Sequence, residues 1–167
     1  SFSRQFFSHK FEEEQIDAEY LNFELPSIEH LKDIIASHPT LKGLNVTIPY
    51  KEEVIPLLDE LSPEAEAIGA VNVIKIEHLS DGSIRLIGHN TDVIGFRESI
   101  RPLLTSNHTK AMILGTGGAS KAVQYVLKKY NITFSTVSRD QERGDYTYKM
   151  LNAEIMARHP LIINTTP

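Results

Sequence analysis

The chain has 167 residues, 17 of them basic and 22 acidic, for a formal net charge of −5, a balance that argues against a nucleic-acid surface. It has no cysteine, which excludes disulfides and thiolate metal sites and fits a cytosolic protein. Apolar residues make up 41%, as in an ordinary globular protein, yet no apolar run approaches the ~20 residues of a membrane span and no signal peptide is visible.

Residues 20–25 alternate apolar and polar, which predicts a half-buried strand. Pro26 and Ser27 then open a helix that carries Ile28, Leu31, Ile34 and Ile35 on one face and fades by Pro39. Residues 43–48, rich in branched side chains, predict a second strand. Pro49 suits the first turn of a following helix with Val54, Ile55, Leu57 and Leu58, which Pro56 kinks or shortens. Runs 71–77 and 83–87 flank Asp81-Gly82 and predict a hairpin. Asn90 or Thr91 caps a helix bearing Val93, Ile94, Phe96 and Ile100. The polar stretch 104–110 marks a domain boundary, giving domains 1–104 and 105–167. Beyond it come strand 111–114, helix 119–130, strand 132–137, a charged loop 138–145, a helix 147–157 and a strand 161–165. Strands alternating with helices imply a parallel sheet with right-handed crossovers. The start at Ser1 and the stop at Pro167, just after a strand, read as a fragment.

Residues 111–120, Ala-Met-Ile-Leu-Gly-Thr-Gly-Gly-Ala-Ser, carry the most information. An apolar strand ends in three glycines and leads into a helix. Glycines let the backbone approach a pyrophosphate, and the helix start offers unpaired N–H groups and a positive dipole end. Glycine turns also join strands to helices for packing alone. About 24 residues on, strand 132–137 runs into Ser138-Arg139-Asp140-Gln141-Glu142-Arg143. Two arginines four apart suit a ribose 2′-phosphate and favour NADP over NAD, whereas Asp140 suits a free 2′-hydroxyl.

Lys51 falls in the first turn of its predicted helix, where the dipole disfavours a cation. It is a solvated lysine or one held there for its charge or proton. Asp92 is a dipole-complementing carboxylate or one aimed at a cation or a substrate hydroxyl. Asn72 is a turn former or a donor–acceptor for a polyol. Thr47 caps the following helix or offers its hydroxyl to a ligand. Ser1 and Ser3 flank Phe2 at an end that otherwise reads as frayed. His89 has no second histidine at ligand spacing, so no metal is assigned.

Together these segments resemble the shikimate dehydrogenase family, in order along nearly the whole chain. Ser1-Phe2-Ser3 resembles its Ser-x-Ser motif. Asn45-Val46-Thr47-Ile48-Pro49-Tyr50-Lys51 resembles its Asn-Val-Thr-x-Pro-aromatic-Lys motif. Gly69-Ala70-Val71-Asn72 and Asn90-Thr91-Asp92-x-x-Gly95 are similar to the next two. Gly115-Thr116-Gly117-Gly118-Ala119 resembles its glycine turn, and Ser138-Arg139-Asp140-x-x-Arg143 its cofactor segment, with Ser138 and Asp140 where the family usually has Asn and Thr.

The resemblance implies an N-terminal α/β substrate domain followed by a truncated Rossmann-like NADP-binding domain. It implies NADPH-dependent reduction of 3-dehydroshikimate to shikimate, with Lys51 as acid/base and Asp92 as its partner. Ser1, Ser3, Thr47 and Asn72 would bind substrate. Gly115, Thr116, Gly117, Gly118, Ala119, Ser138, Arg139 and Arg143 would bind NADP. The expected partner is a small-molecule substrate, not nucleic acid or membrane, and a homodimer stays open. The competing readings are a quinate/shikimate dehydrogenase using NAD and a non-catalytic ligand sensor, against which the retained Lys51 and Asp92 argue.

Overall fold

In a computed structural model, which describes residues 2–166, internal packing divides the chain into two units, Ser1–Pro39 and Thr40–Pro167. The first opens on helix α1, Phe2–Glu13, where the sequence reads as a frayed end. Phe7 lies flat against Tyr20, ring centroids 5.2 Å apart, and Lys10 pairs with Glu14 four residues on, a helical spacing. The strand expected at 20–25 does not form. Tyr20, Phe23 and Leu25 are half-buried, so the alternation marks an extended, one-sided segment, but a ladder also needs a partner edge. Ser27 accepts from the Glu29 N–H and starts a 3-10 turn, Ile28–His30, that runs into α2, Leu31–Ser37. Leu31 and Ile35 are buried, as the helical spacing requires.

The second unit contains two sheets. The first has the order β1-β3-β4-β2, formed by β1 (Gly43–Asn45), β2 (Glu60–Leu61), β3 (Val73–His78) and β4 (Ile84–His89). β3 and β4 form the expected antiparallel hairpin, with Gly82 at φ 85° in its turn. β1 stops at Asn45 rather than running to Ile48. Between them α3, Pro63–Ile68, lies outside the predicted elements although its signals are present. Ser62 caps it by accepting from the Ala65 N–H, Pro63 takes the first turn, and Gly69 ends it at φ 67°.

The helix expected after Pro49 is absent. Residues 48–54 form consecutive turns, with Val54 N–H reaching Tyr50 O, and a 3-10 turn, Ile55–Leu57, follows. Pro56 supplies no N–H and its ring crowds the preceding turn, so the α-helix cannot propagate. Helix α4, Asp92–Ile100, starts as expected and buries Val93 and Ile100, while Ile94 stays exposed.

The second sheet is wholly parallel, in the order β7-β6-β5-β8. Its strands are β5 (Lys110–Leu114), β6 (Thr133–Ser138), β7 (Tyr146–Thr147) and β8 (Leu161–Asn164). Helix α5, Gly118–Lys129, connects β5 to β6 and buries Ala122, Val123, Val126 and Leu127 on one face. The helix predicted over 147–157 is only α6, Ala153–Ala157. Asn152 caps it by accepting from the Ile155 N–H at 2.9 Å, and residues 146–150 are spent on β7 and a 3-10 turn. One buried cluster joins Ile68, Ala70, Val93 and Ile100 to Ala111, Ile113, Val123, Val126 and Leu127, so α3 and α4 share a core with α5 and the second sheet.

Candidate active site

The turns at 48–54 deliver Lys51 by its backbone as well as its side chain. The Val71 N–H donates to the Lys51 carbonyl at 2.7 Å, tying the turn to the approach of β3. Lys51 Nζ donates to Asp92 Oδ2 at 2.7 Å across 41 residues of sequence. Their side chains are 17% and 34% exposed, so the pair is partly withdrawn from water yet open on one side. Lys51 does not occupy a helix N-terminus, and the dipole argument made for it falls with the missing helix. Its ammonium is held instead by a carboxylate at the first residue of α4, where a negative charge also suits the dipole.

Asn72 joins the pair. Its Nδ2 donates to Asp92 Oδ1 at 2.8 Å, and its Oδ1 accepts from the Thr91 N–H at 2.8 Å. Thr91 sits at the N-cap of α4, but its hydroxyl bonds the Asn72 amide rather than capping the helix. Both Asp92 oxygens are therefore engaged, one by an ammonium and one by an amide. Asn90, buried at 4% exposed, donates from Nδ2 to the Ala70 carbonyl at 2.9 Å instead of capping.

Thr47 lies two residues past the end of β1 and is exposed. With no helix to cap, its hydroxyl faces the Ile48 carbonyl at 3.5 Å, too long for a strong bond. Ser3 lies in α1, within the first unit, and Ser1 lies outside the described residues. His89 ends β4. Among the described residues no group of three or more His, Asp or Glu side chains could hold a metal ion.

The glycine turn follows β5, at the point where strand order reverses. From β5 the chain moves to β6 and β7 on one side, then returns to β8 on the other. The crevice beyond the carboxyl ends of β5 and β8 is thus a topological switch point, the usual ligand position in open α/β sheets. Gly115 has φ 109°, and a Cβ there would meet Thr165 Oγ1 at 2.7 Å, so glycine is required twice over. Gly117 stands at the N-cap of α5 with no side-chain cap bond, leaving the first N–H groups of the helix for a ligand. A Cβ on Gly118 would lie 3.2 Å from Cβ and Cδ of Lys51. The start of α5 therefore abuts the stem of the lysine.

Strand β6 ends in Ser138, which is buried and accepts the Asp140 N–H on its Oγ at 3.1 Å. The Asp140 carboxylate accepts the Glu142 N–H at 3.0 Å and so turns back on its own chain. Arg139 and Arg143 are exposed. The donor set left facing solvent at this strand end is two guanidinium groups, which suits a phosphate.

Sequence reasoning missed the Thr91 and Asn90 contacts, because a residue at an N-cap position is expected to bond its own helix. It also missed an ion pair from Glu52 to Lys121, 69 residues apart, for which no sequence signal exists.

Residues 1–74 match the family model of the shikimate dehydrogenase substrate binding domain. The chain is 37% identical over 161 residues to shikimate dehydrogenase (NADP(+)) of Aquifex aeolicus, covering 90% of this chain and 58% of that protein. The crystal structure of shikimate dehydrogenase 1 from Peptoclostridium difficile superposes with a TM-score of 0.79 at 32% identity, over 100% of this chain and 62% of that one. Shikimate 5-dehydrogenase of Thermus thermophilus, solved in complex with NADP(H) and shikimate, gives 0.79 at 27% identity over 99% of this chain and 64% of that one. The chain thus spans less than two thirds of the length of each of these proteins. By sequence and by fold, the chain is similar to shikimate dehydrogenases along nearly its whole length.

Proposed function

We propose that the chain carries the substrate site and the first part of the cofactor site of an NADPH-dependent dehydrogenase that reduces 3-dehydroshikimate to shikimate. The observation that carries this reading is the Lys51–Asp92 pair, held by Asn72 and set against the start of α5. The division follows the sequence: 1–104 for substrate, 105–167 for the dinucleotide. When bound, the cofactor supplies a hydride to the ketone carbon.

This chain's residues handle the charge that develops on the ketone oxygen. Lys51 spends one N–H on Asp92 and keeps two for a substrate oxygen. As an ammonium it stabilises a developing alkoxide and gives it a proton; in the reverse direction it takes one back. Asp92 keeps the ammonium in place. Asn72, bonded to Asp92, offers an amide suited to a polyol, and by resemblance to the family Thr47, Ser1 and Ser3 would bind substrate as well. Gly115, Thr116, Gly117, Gly118 and Ala119 would admit the pyrophosphate to the start of α5. Ser138 shapes the end of β6, from which Arg139 and Arg143 would bind a 2′-phosphate, the feature that favours NADP over NAD.

The experiment is turnover of the purified full-length protein that contains this chain, on shikimate and on quinate, with NADP and with NAD. Oxidation of shikimate with NADP above the other combinations is expected. Preference for NAD or quinate replaces this reading with the broader dehydrogenase, and shikimate binding without turnover replaces it with a sensor. Lys51→Ala should cut turnover by about 10²–10⁴, the range of a positioned acid/base, while largely sparing substrate binding. A near-normal rate in that variant removes Lys51 from the chemistry.

A further inference from the structure

Lys51 and Glu52 are neighbours in one turn, yet they are tied to different helices. Lys51 Nζ is bonded to Asp92 at the start of α4, and the Glu52 carboxylate forms an ion pair with Lys121 Nζ on α5. Lys121 sits where α5 closes its first turn, its own N–H donating to the Gly117 carbonyl at 3.1 Å. The Gly118 backbone meanwhile rests on the Lys51 stem. The turn at 48–54 is thus clamped to the first turn of α5 by a backbone contact at 51 and a charge pair at 52. Any slide of α5 against that turn carries the glycine loop away from the Lys51 ammonium.

We propose that Glu52 and Lys121 are positioning residues for the hydride-transfer step, fixing Lys51 relative to the cofactor helix without touching substrate or cofactor. This rests on the dehydrogenase reading above. The physical reason is geometric: a reacting pair displaced by ~1 Å loses rate steeply, even when the displaced groups are unchanged. The pair is 35% and 42% exposed, so its own energy is small and its effect on rate is modest.

The test is steady-state kinetics on the purified full-length protein and on its Glu52→Gln, Lys121→Met and double variants, with NADPH binding titrated for each. Either single variant should lose about two- to fivefold in kcat, the range for an exposed ion pair. The double variant should be no slower than the worse single one, and the charge swap Glu52→Lys with Lys121→Glu should recover rate. The KM for shikimate and the Kd for NADPH should stay within about twofold. Wild-type kcat in Glu52→Gln overturns the proposal. A loss of NADPH affinity confined to Lys121→Met also overturns it, by making the lysine a phosphate ligand. A full-length wild-type protein without turnover refutes the dehydrogenase reading instead. The tie is then read from urea midpoints of the same four proteins, and additive shifts overturn it.

Discussion

A carboxylate with both oxygens bonded is a fixed point, and Asp92 is one: Lys51 holds one oxygen and Asn72 the other. Charge placement by hydrogen bonding recurs on β3. Lys75 donates to Glu77 at 2.7 Å, and Arg85 stands opposite Glu77 across the hairpin. The Lys75 hydrogen bond, helped by the two positive charges, holds the Glu77 carboxyl below its ordinary value. A carboxyl lowered on folding adds stability above its unfolded value and loses it as pH falls through the folded one. Because Glu77 lies at the surface, its side chain 30% exposed, the contribution is small. An NMR titration should find its midpoint below that of an ordinary glutamate, and Lys75→Met should return it upward. An unmoved midpoint in that variant would show that the lysine is not the cause. At this scale the sequence marks the residue types well. Lys51, Asp92 and Asn72 stand out by their motifs, but the bonds among them span 41 and 20 residues, which no local rule predicts.

At the scale of elements, the turn after β5 is the part most tightly dictated by covalent geometry. Gly115→Ala would force a side chain into a positive φ and against Thr165. A loss of about 1–3 kcal/mol is expected from the backbone alone, measurable as a lower urea midpoint. Unchanged stability would mean that the turn adopts another conformation. Strong local signals gave correct elements: the Ser27 start of the α2 segment, the hairpin around Gly82, and α5 with its apolar face. Weak or mixed signals failed for identifiable reasons. Pro56 outweighed a helical apolar pattern, and Asn152 restarted a helix that seemed continuous from 147. The α3 segment was readable in Ser62, Pro63 and Gly69 but is only six residues long.

For the second unit as a whole, one core makes α3 and α4 interdependent with the second sheet. Leu127 is fully buried in a cluster drawn from α3, α4, α5 and β5. Leu127→Ala should cost about 2–5 kcal/mol, and amide exchange should accelerate together in α4 and in β5 and β6. Loss of protection in β5 and β6 alone would mean that α4 unfolds separately from the second sheet. The sequence by itself determined the α/β class, the glycine turn, the arginine pair after β6 and the identity of the two charged residues at 51 and 92, because each is written in local spacing, backbone constraint or residue chemistry. Only the tertiary structure decided that Lys51 meets Asp92, that Asn72 bridges to it, and that α5 rests against the lysine. Contacts between distant segments depend on how sheets and helices pack, and packing is a property of the whole chain.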